Sequence, residues 1–176
     1  MKRIVADPAK CLACRTCELA CALAHAASED LVEAIYQHRA KPRIYIEGAG
    51  QLAVPLQCRH CEDAPCVRVC PSGALHRSSP DSPVLVDQQR CIGCAFCVEA
   101  CPFGVIQVAA GAVPGVLDGR VAVIKCDLCQ QRQAEGKPPA CVASCPVGAL
   151  AFAEVDQSAR RARAWTAAQA ALNQRW

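Results

Sequence analysis

Cysteine is the residue whose spacing points most directly to chemistry in this sequence. The sixteen cysteines fall into four groups of four. Group one is Cys11, Cys14, Cys17 and Cys21 (C-x2-C-x2-C-x3-C), group two is Cys58, Cys61, Cys66 and Cys70 (C-x2-C-x4-C-x3-C), group three is Cys91, Cys94, Cys97 and Cys101 (C-x2-C-x2-C-x3-C), and group four is Cys126, Cys129, Cys141 and Cys145 (C-x2-C-x11-C-x3-C). Thiolates are the preferred ligands of soft transition metals. The grouping therefore predicts metal ligation.

Group three has the spacing that holds iron–sulfur cubes. It is followed directly by Pro102. In such a run the first three thiolates bind one [4Fe–4S] cluster and the fourth binds a different one, so each group is half of a site and needs a partner group. Small residues between the ligands, such as Ala13, Gly93 and Ala95, allow the chain to approach a cluster closely.

Disulfides and zinc are the alternative uses of so many cysteines. Disulfides require an oxidising compartment, but residues 1–8 contain no apolar signal segment, so we expect a cytoplasmic protein with reduced thiols. Group four alone would suit a structural zinc site. Groups one and three would not, because a cysteine at every third position crowds a single tetrahedral ion.

The composition agrees with a chain built around clusters. Aromatic residues make up 4% of the chain, and cysteine and alanine inflate the hydrophobic fraction of 53%. The formal charge of +3 counts every cysteine as neutral. Four oxidised clusters at about −2 each would bring the net charge to about −5. The positive formal charge of the chain therefore does not favour nucleic-acid binding. No apolar run is long enough to span a membrane.

Short strands and turns are expected between the groups. Residues 43–47 and 52–56 predict a hairpin with its turn at 48–50, and residues 84–87 predict a strand before group three. Residues 104–108 and 121–125 predict a second hairpin around a turn at 111–115. The sequence C-P-x-G-A-L begins at Cys70 and again at Cys145, which is an internal repeat.

Group one departs from the other three because Ala22 follows its last cysteine where they have proline. Proline would restrict the residue before it, so we expect the helix to continue past Cys21 here. Ser28 is the expected N-cap of a second helical segment over residues 31–36, with Asp30 in its first turn.

The C-terminal tail predicts an amphipathic helix. It lacks glycine and proline from Ser158 onward. Two interpretations stay open: the helix packs on its own domain, or it docks a partner through tryptophan anchors. The residues concerned are Arg160, Arg161, Arg163, Trp165, Leu172, Arg175 and Trp176.

Other side chains give no sign of catalysis. The sequence shows no Ser-His-Asp set, no glycine-rich phosphate loop and no cluster of carboxylates. We therefore expect a protein that is not itself an enzyme. His25 and His60 are expected to be structural, although His60 is placed to donate to a cluster sulfur.

These motifs resemble the four-cluster electron-transfer subunits of complex oxidoreductases, such as those of formate dehydrogenase, dimethyl sulfoxide reductase, carbon monoxide dehydrogenase and tungsten aldehyde oxidoreductase. The resemblance covers residues 3–155 and includes the spacing of all four groups. It implies four [4Fe–4S] clusters. Their ligands would be Cys11, Cys14, Cys17 and Cys145; Cys126, Cys129, Cys141 and Cys21; Cys58, Cys61, Cys66 and Cys101; and Cys91, Cys94, Cys97 and Cys70.

The fold implied is α+β, with two ferredoxin-like modules in a domain over residues 1–155. The inner module would be continuous over 41–113, the outer one would combine 1–40 with 114–155, and 156–176 would be the helical tail. The implied function is electron transfer between a catalytic subunit and another carrier.

A large molybdenum or tungsten pterin subunit for formate or aldehyde oxidation is the first expectation for the partner, followed by hydrogenase and carbon monoxide dehydrogenase. A flavin or ferredoxin-type subunit is the further partner expected to exchange electrons with the clusters. A linear array of clusters exposed at both ends would also let copies of this chain stack on one another. The alternatives are a freely diffusing polyferredoxin and, more weakly, an iron-storage or sensing role.

Overall fold

The computed structural model describes residues 2–110 and 121–173 of the chain. Helices and strands alternate along these residues. In chain order the elements are β1 (Lys2–Ala6), α1 (Thr16–Ala24), α2 (Leu31–Tyr36), β2 (Ile44–Ala49), β3 (Leu52–Gln57), α3 (Pro65–Arg68), β4 (Leu75–His76), β5 (Leu85–Val86), α4 (Phe96–Glu99), β6 (Gln107–Ala110), β7 (Val121–Ile124), α5 (Gln130–Ala134), α6 (Ala140–Ala143), β8 (Leu150–Glu154) and α7 (Val155–Asn173). The mixed α+β class is thus confirmed.

The described strands form antiparallel pairs: β1 with β8, β2 with β3, β4 with β5, and β6 with β7. Three of these pairs join neighbours in sequence. The fourth joins the two flanks of the chain, with Ile4 opposite Phe152. Because β1 precedes group one and β8 follows group four, this pairing brings those two groups to the same end of the molecule.

Both predicted hairpins are present with shifted limits. Strand β2 ends at Ala49 and strand β3 begins at Leu52, so the turn is shorter than the predicted turn over 48–50. Gly50 in this turn takes the left-handed conformation, with φ at 62°. Strand β6 begins at Gln107, later than expected. The predicted turn at 111–115 lies outside the described residues.

Buried side chains form two main clusters among the described residues. The first core contains Ile4, Ile44, Ile46, Leu128 and Leu150, with cysteines of groups one and four. The second core contains Leu75, Val84, Ile106 and Val123, with cysteines of groups two and three. Each core is therefore built around two cysteine groups.

The first hairpin belongs to the first core, although the sequence assigned residues 41–57 to the inner module. Its strand β2 lies against α1, where Glu18 accepts a hydrogen bond from the Ile46 backbone N–H at 2.6 Å. Ile44 and Ile46 are buried there. The other module boundaries stay a prediction.

Helix α1 continues past Cys21 as predicted, and it ends at Ala24. The predicted cap of α2 is wrong: Asp30 is the N-cap, and its carboxylate accepts from the Glu33 backbone N–H at 2.8 Å. Ser28 instead donates its hydroxyl to the Glu33 carboxylate at 2.6 Å. Asp at this position also gains from the helix dipole.

The tail is helical, as predicted, over Val155–Asn173. Every side chain of this helix that the structure describes is exposed. The side chains of Trp165 and Leu172, and all of Trp176, lie outside the described residues. Among the described helices, none has the length and apolar character needed to cross a bilayer.

Asp127 joins three distant segments of the first core. Its carboxylate accepts from the Arg43 guanidinium at 2.7 Å, from His25 Nε2 at 3.0 Å and from the Cys129 backbone N–H at 2.9 Å. Burial alone would lower the pKa of His25, but hydrogen bonds to Asp127, Cys129 and Cys21 outweigh burial and raise that pKa to about 12. Burial opposes ionisation of Asp127, yet His25 and Arg43 bring its pKa below the usual range.

Replacement of Asp127 by Asn should destabilise the fold. The change leaves Arg43 and His25 without a counter-charge. We expect the free energy of unfolding to fall by about 2 kcal/mol. This is less than for a fully buried ion pair, because the Asp127 side chain is 30% exposed. Chemical denaturation followed by circular dichroism under anaerobic conditions measures it.

The matched control is Asp63→Asn. It breaks the Asp63–Arg68 ion pair, whose side chains are 74% and 66% exposed. The free energy of unfolding should therefore fall by less than about 1 kcal/mol. Equal losses in the two variants would contradict the structural role of Asp127.

Candidate functional site

Four cysteines line a small cavity in the first core. Three of them, Cys11, Cys14 and Cys17, come from group one, and Cys145 comes from group four. Ile46, Pro55 and Leu150 are among the apolar residues that complete the wall. The cavity therefore has one thiol set from two groups that are far apart in sequence.

A second small cavity repeats this arrangement in the other core. Cys91, Cys94 and Cys97 of group three line it together with Cys70 of group two. Here too, three thiols come from one group and the fourth from another. This is the sharing that the spacing of group three predicts.

The remaining cysteines of groups one and four influence one another electrostatically. Burial raises the pKa of the Cys141 thiol, and the nearby Cys21, Cys126 and Cys129, followed by Cys17, raise it further. The four remaining cysteines are all buried. Such thiols need a cationic partner before they can carry the negative charge of a thiolate.

The remaining cysteines of groups two and three are related in the same way. Burial raises the pKa of the Cys66 thiol, and Cys58, Cys101 and Cys61 add to this, while Lys125 opposes it. Only Cys66 of these four is fully buried. The structure thus brings these cysteines of groups two and three close to one another, and their division into ligand sets stays a prediction.

Access from solvent differs between these sets. Cys14 in the first cavity and Cys94 in the second are exposed. Leu12 and Ile92, the residues after the first cysteines of groups one and three, are each 66% exposed. The two cavities therefore reach the surface, whereas the set of Cys21, Cys126, Cys129 and Cys141 is enclosed.

Comparison with known proteins connects this geometry to a family. The 4Fe-4S dicluster domain matches residues 50–155. The chain belongs to the 4Fe-4S dicluster family. This confirms the resemblance noted from the cysteine spacing. Groups two, three and four lie within the matched region, and group one precedes it.

Curated relatives cover most of the chain. The electron transport protein HydN of Escherichia coli (strain K12) is 42% identical over 154 residues, which is 84% of this chain and 85% of HydN. An iron-sulfur protein of Rhodospirillum rubrum is 43% identical over 161 residues, covering 87% and 82% of the two proteins. One chain of the anaerobic dimethyl sulfoxide reductase of Escherichia coli (strain K12) is 37% identical over 157 residues, covering 86% and 72%.

Backbone donors around the thiols fit the iron–sulfur clusters of this dicluster family. Such N–H···S hydrogen bonds compensate thiolate charge and help to set cluster potentials. Among the described residues such bonds run from Arg43 to Cys21 (3.3 Å), His60 to Cys58 (3.4 Å), Leu75 to Cys70 (3.4 Å), Leu128 to Cys126 (3.4 Å) and Ala149 to Cys145 (3.2 Å).

The same backbone conformation recurs in all four dicluster-type loops. The residue just before the second cysteine of each group has positive φ: Ala13 (57°), His60 (49°), Gly93 (70°) and Leu128 (61°). This left-handed conformation is unfavourable for residues with a Cβ. The sequence analysis identified only the small residues between the ligands, such as Ala13 and Gly93. The positive φ of His60 and Leu128 was therefore not predicted.

His60 provides a further test of fit to a cluster. Its Nδ1 accepts a hydrogen bond from the Val84 backbone N–H at 3.1 Å. Burial, with help from Lys125 and Arg3, lowers its pKa to about 3, so the ring is neutral and its proton lies on Nε2. Nε2 is buried and has no partner among the described residues. A cluster sulfur is an acceptor of the kind that this donor lacks.

Arg77 was missed by the sequence analysis because it lies outside the cysteine motifs. Its guanidinium donates to the backbone oxygen of His60 at 2.8 Å and to that of Cys61. It also reaches the backbone oxygen atoms of Glu62 and Pro80, each at 3.3 Å. Arg77 thereby holds the longer loop of group two in shape.

Replacement of Gly93 by Ala should destabilise the group three loop. A Cβ there would lie 2.8 Å from the Val121 backbone oxygen and would also meet the unfavourable φ of 70°. Together these effects should cost about 2 kcal/mol and lower the thermal midpoint by about 4–8 °C. Thermal unfolding of the iron-loaded protein, followed by circular dichroism, measures this.

Gly48→Ala is the control for this substitution. A Cβ at Gly48 meets nothing within 4 Å. Its midpoint should change by less than about 2 °C. An unchanged midpoint in the Gly93 variant would show that the loop has room to adjust.

Proposed function

We propose that the chain is an electron-transfer subunit that holds four [4Fe–4S] clusters. The observation that carries the proposal is the pair of cavities, each lined by three thiols of one group and one of another. Four such clusters account for all sixteen cysteines. Their ligands would be Cys11, Cys14, Cys17 and Cys145 (cluster A); Cys21, Cys126, Cys129 and Cys141 (cluster B); Cys58, Cys61, Cys66 and Cys101 (cluster C); and Cys70, Cys91, Cys94 and Cys97 (cluster D).

The proposed division of ligands supports an order in which cluster A is next to cluster B and cluster C is next to cluster D. Helix α1 carries both Cys17 of cluster A and Cys21 of cluster B. Group two supplies both Cys66 of cluster C and Cys70 of cluster D. Each pair of clusters is thereby tied together through a few residues. The exposed Cys14 and Cys94 belong to A and D, which supports an array that runs from one surface to another.

A bound [4Fe–4S] cluster takes up and releases one electron at a time. The protein supplies position, hydrogen bonds to sulfur and exclusion of water. Leu128, which is 3% exposed, donates its N–H to Cys126, while Arg43 donates its N–H to Cys21. These contacts compensate the thiolate charge of cluster B inside the core.

The partner we propose is a catalytic oxidoreductase subunit in the cytoplasm, with a molybdenum or tungsten pterin enzyme as the first candidate. The relative named as one chain of anaerobic dimethyl sulfoxide reductase supports a subunit role. The second candidate is a freely diffusing carrier. The relative named as electron transport protein HydN favours it, since that name specifies no partner subunit.

The ligand sets can be tested by exchanging single cysteines. The wild-type chain, purified anaerobically, should contain about sixteen iron atoms and sixteen sulfides, four of each per cluster. Cys21→Ser and Cys141→Ser should perturb the same cluster and give matching electron paramagnetic resonance spectra, although they lie in different groups. The comparison is made on reduced protein.

Cys17→Ser is the matched control because it lies on the same helix as Cys21 but in another proposed set. Its spectrum should differ from both and should match that of Cys145→Ser. If Cys17→Ser matched Cys21→Ser instead, the groups would hold clusters separately and the proposed sharing would be wrong. A chain with little iron and stoichiometric zinc would overturn the iron–sulfur proposal itself.

Removal of residues 157–176 separates the two candidates. Because every described side chain of α7 beyond residue 156 is exposed, the truncated chain should keep its iron. For a subunit that docks through the tail, the truncation should reduce co-purification with a large subunit at least tenfold. Unchanged recovery of that partner would exclude tail docking, and an untruncated chain that purifies alone would favour the diffusible carrier.

A further inference from the structure

Lys125 is a buried cation between the two cores. The residue is 2% exposed. Its ammonium donates to the backbone oxygen of Cys126 at 2.7 Å and to that of Val84. Cys126 belongs to the first core and Val84 to the second. Lys125 thus touches both halves of the molecule from one position.

This ammonium has no ion-pair partner among residues 2–110 and 121–173. The nearest acid in sequence, Asp127, is already paired with Arg43 and His25. Burial of a charge is costly unless an opposite charge compensates it. Two carbonyl dipoles do this only in part, and no acidic side chain in the described part of the chain supplies the rest of the compensating negative charge.

The two carbonyl oxygen atoms that the ammonium contacts lie beside the ligands of clusters B and C. Cys126 is itself a proposed ligand of cluster B, and its backbone oxygen accepts from Lys125 at 2.7 Å. Val84 packs in the second core with Cys66 of cluster C, and its backbone N–H donates to His60, which lies between Cys58 and Cys61. Lys125 also opposes the rise that burial causes in the pKa of both Cys126 and Cys66.

We propose that Lys125 is the shared counter-charge of clusters B and C and raises the reduction potential of both. The inference rests on the proposed function, since it requires those two clusters. Each reduction adds one electron to a cluster that is already negative, so a fixed positive charge nearby stabilises the reduced form more than the oxidised form. The interior of the array would therefore hold an electron more readily than without Lys125.

A purely structural role is the competing explanation. The amine joins strand β7 and group four to the segment before β5, and Gln88 makes a similar link through its side-chain N–H to the Val123 backbone oxygen at 2.9 Å. A structural link would need hydrogen-bond donors at this position but no charge. Neutral and charged replacements therefore distinguish the two roles.

The test compares Lys125→Gln and Lys125→Met with Lys125→Arg in the full, iron-loaded chain. Potentiometric titration with electron paramagnetic resonance detection gives the midpoint potential of each cluster. The neutral variants should keep about sixteen iron atoms. The equilibrium constant for reduction of clusters B and C should fall about tenfold or more, a shift of about 59 mV to more negative potential. Lys125→Arg should remain close to wild type.

Lys137→Met is the matched control. It removes a lysine charge near group four from the surface, where the side chain is 59% exposed and pairs with Glu135. Solvent screens such a charge, so all four potentials should remain unchanged. Clusters A and D should likewise be unaffected in the Lys125 variants.

Each outcome decides the inference. Unchanged potentials in an iron-replete Lys125→Gln variant would overturn it and leave the proposed function intact. Iron loss in both neutral variants, with iron retained in Lys125→Arg, would support the need for charge. Iron loss in all three would overturn it, because the site would then require the shape of lysine. A wild-type chain without four clusters would instead refute the proposed function.

Discussion

The rest of the structure depends on bringing thiols of distant cysteine groups to one place. Cys145 lies 128 residues after Cys17, yet both line the same cavity. Pairing of β1 with β8 makes this closeness achievable, because it brings the segments before group one and after group four together. A chain with so few aromatic residues has little other means to close its ends. The proposed shared ligation and the observed strand pairing would therefore reinforce each other, and loss of either would free both flanks.

Backbone strain is the second consequence of this architecture. His60 and Leu128 adopt left-handed angles that glycine would accept at no steric cost. Both residues are buried and fixed by hydrogen bonds: Val84 donates to His60, and Gln133 donates to the Leu128 backbone oxygen at 2.6 Å. The surrounding contacts thus determine the conformation. In this conformation the backbone N–H groups of His60 and Leu128 donate hydrogen bonds to the sulfur atoms of Cys58 and Cys126.

The sequence was informative where the signal is local and less so where distant segments meet. Cysteine spacing predicted sites in which one group supplies three thiols and another group the fourth, and two cavities are lined in this way. Ala22 after Cys21 predicted that helix α1 continues past Cys21. The assignment of the first hairpin to the inner module did not anticipate its long-range contacts with the first core, among them the hydrogen bond between Glu18 and Ile46. Arg77 and Lys125 were missed for the same reason, since both act on backbone carbonyls that no sequence pattern identifies.

Several buried or partly buried charged groups lie beside the interior thiols of group four. Arg43 and His25 reach Asp127, which lies between Cys126 and Cys129, and Lys125 is the residue just before Cys126. At the exposed end near Cys14 the charge is open to solvent: Arg15 pairs with Glu18, but the Arg15 side chain is 63% exposed. Leu12 and Ile92 also face solvent. Fixed charge acts strongly where water is excluded and weakly where water screens it. The potentials at the interior would thus be set by the chain itself, whereas those at the two ends would respond to whatever covers Cys14 and Cys94.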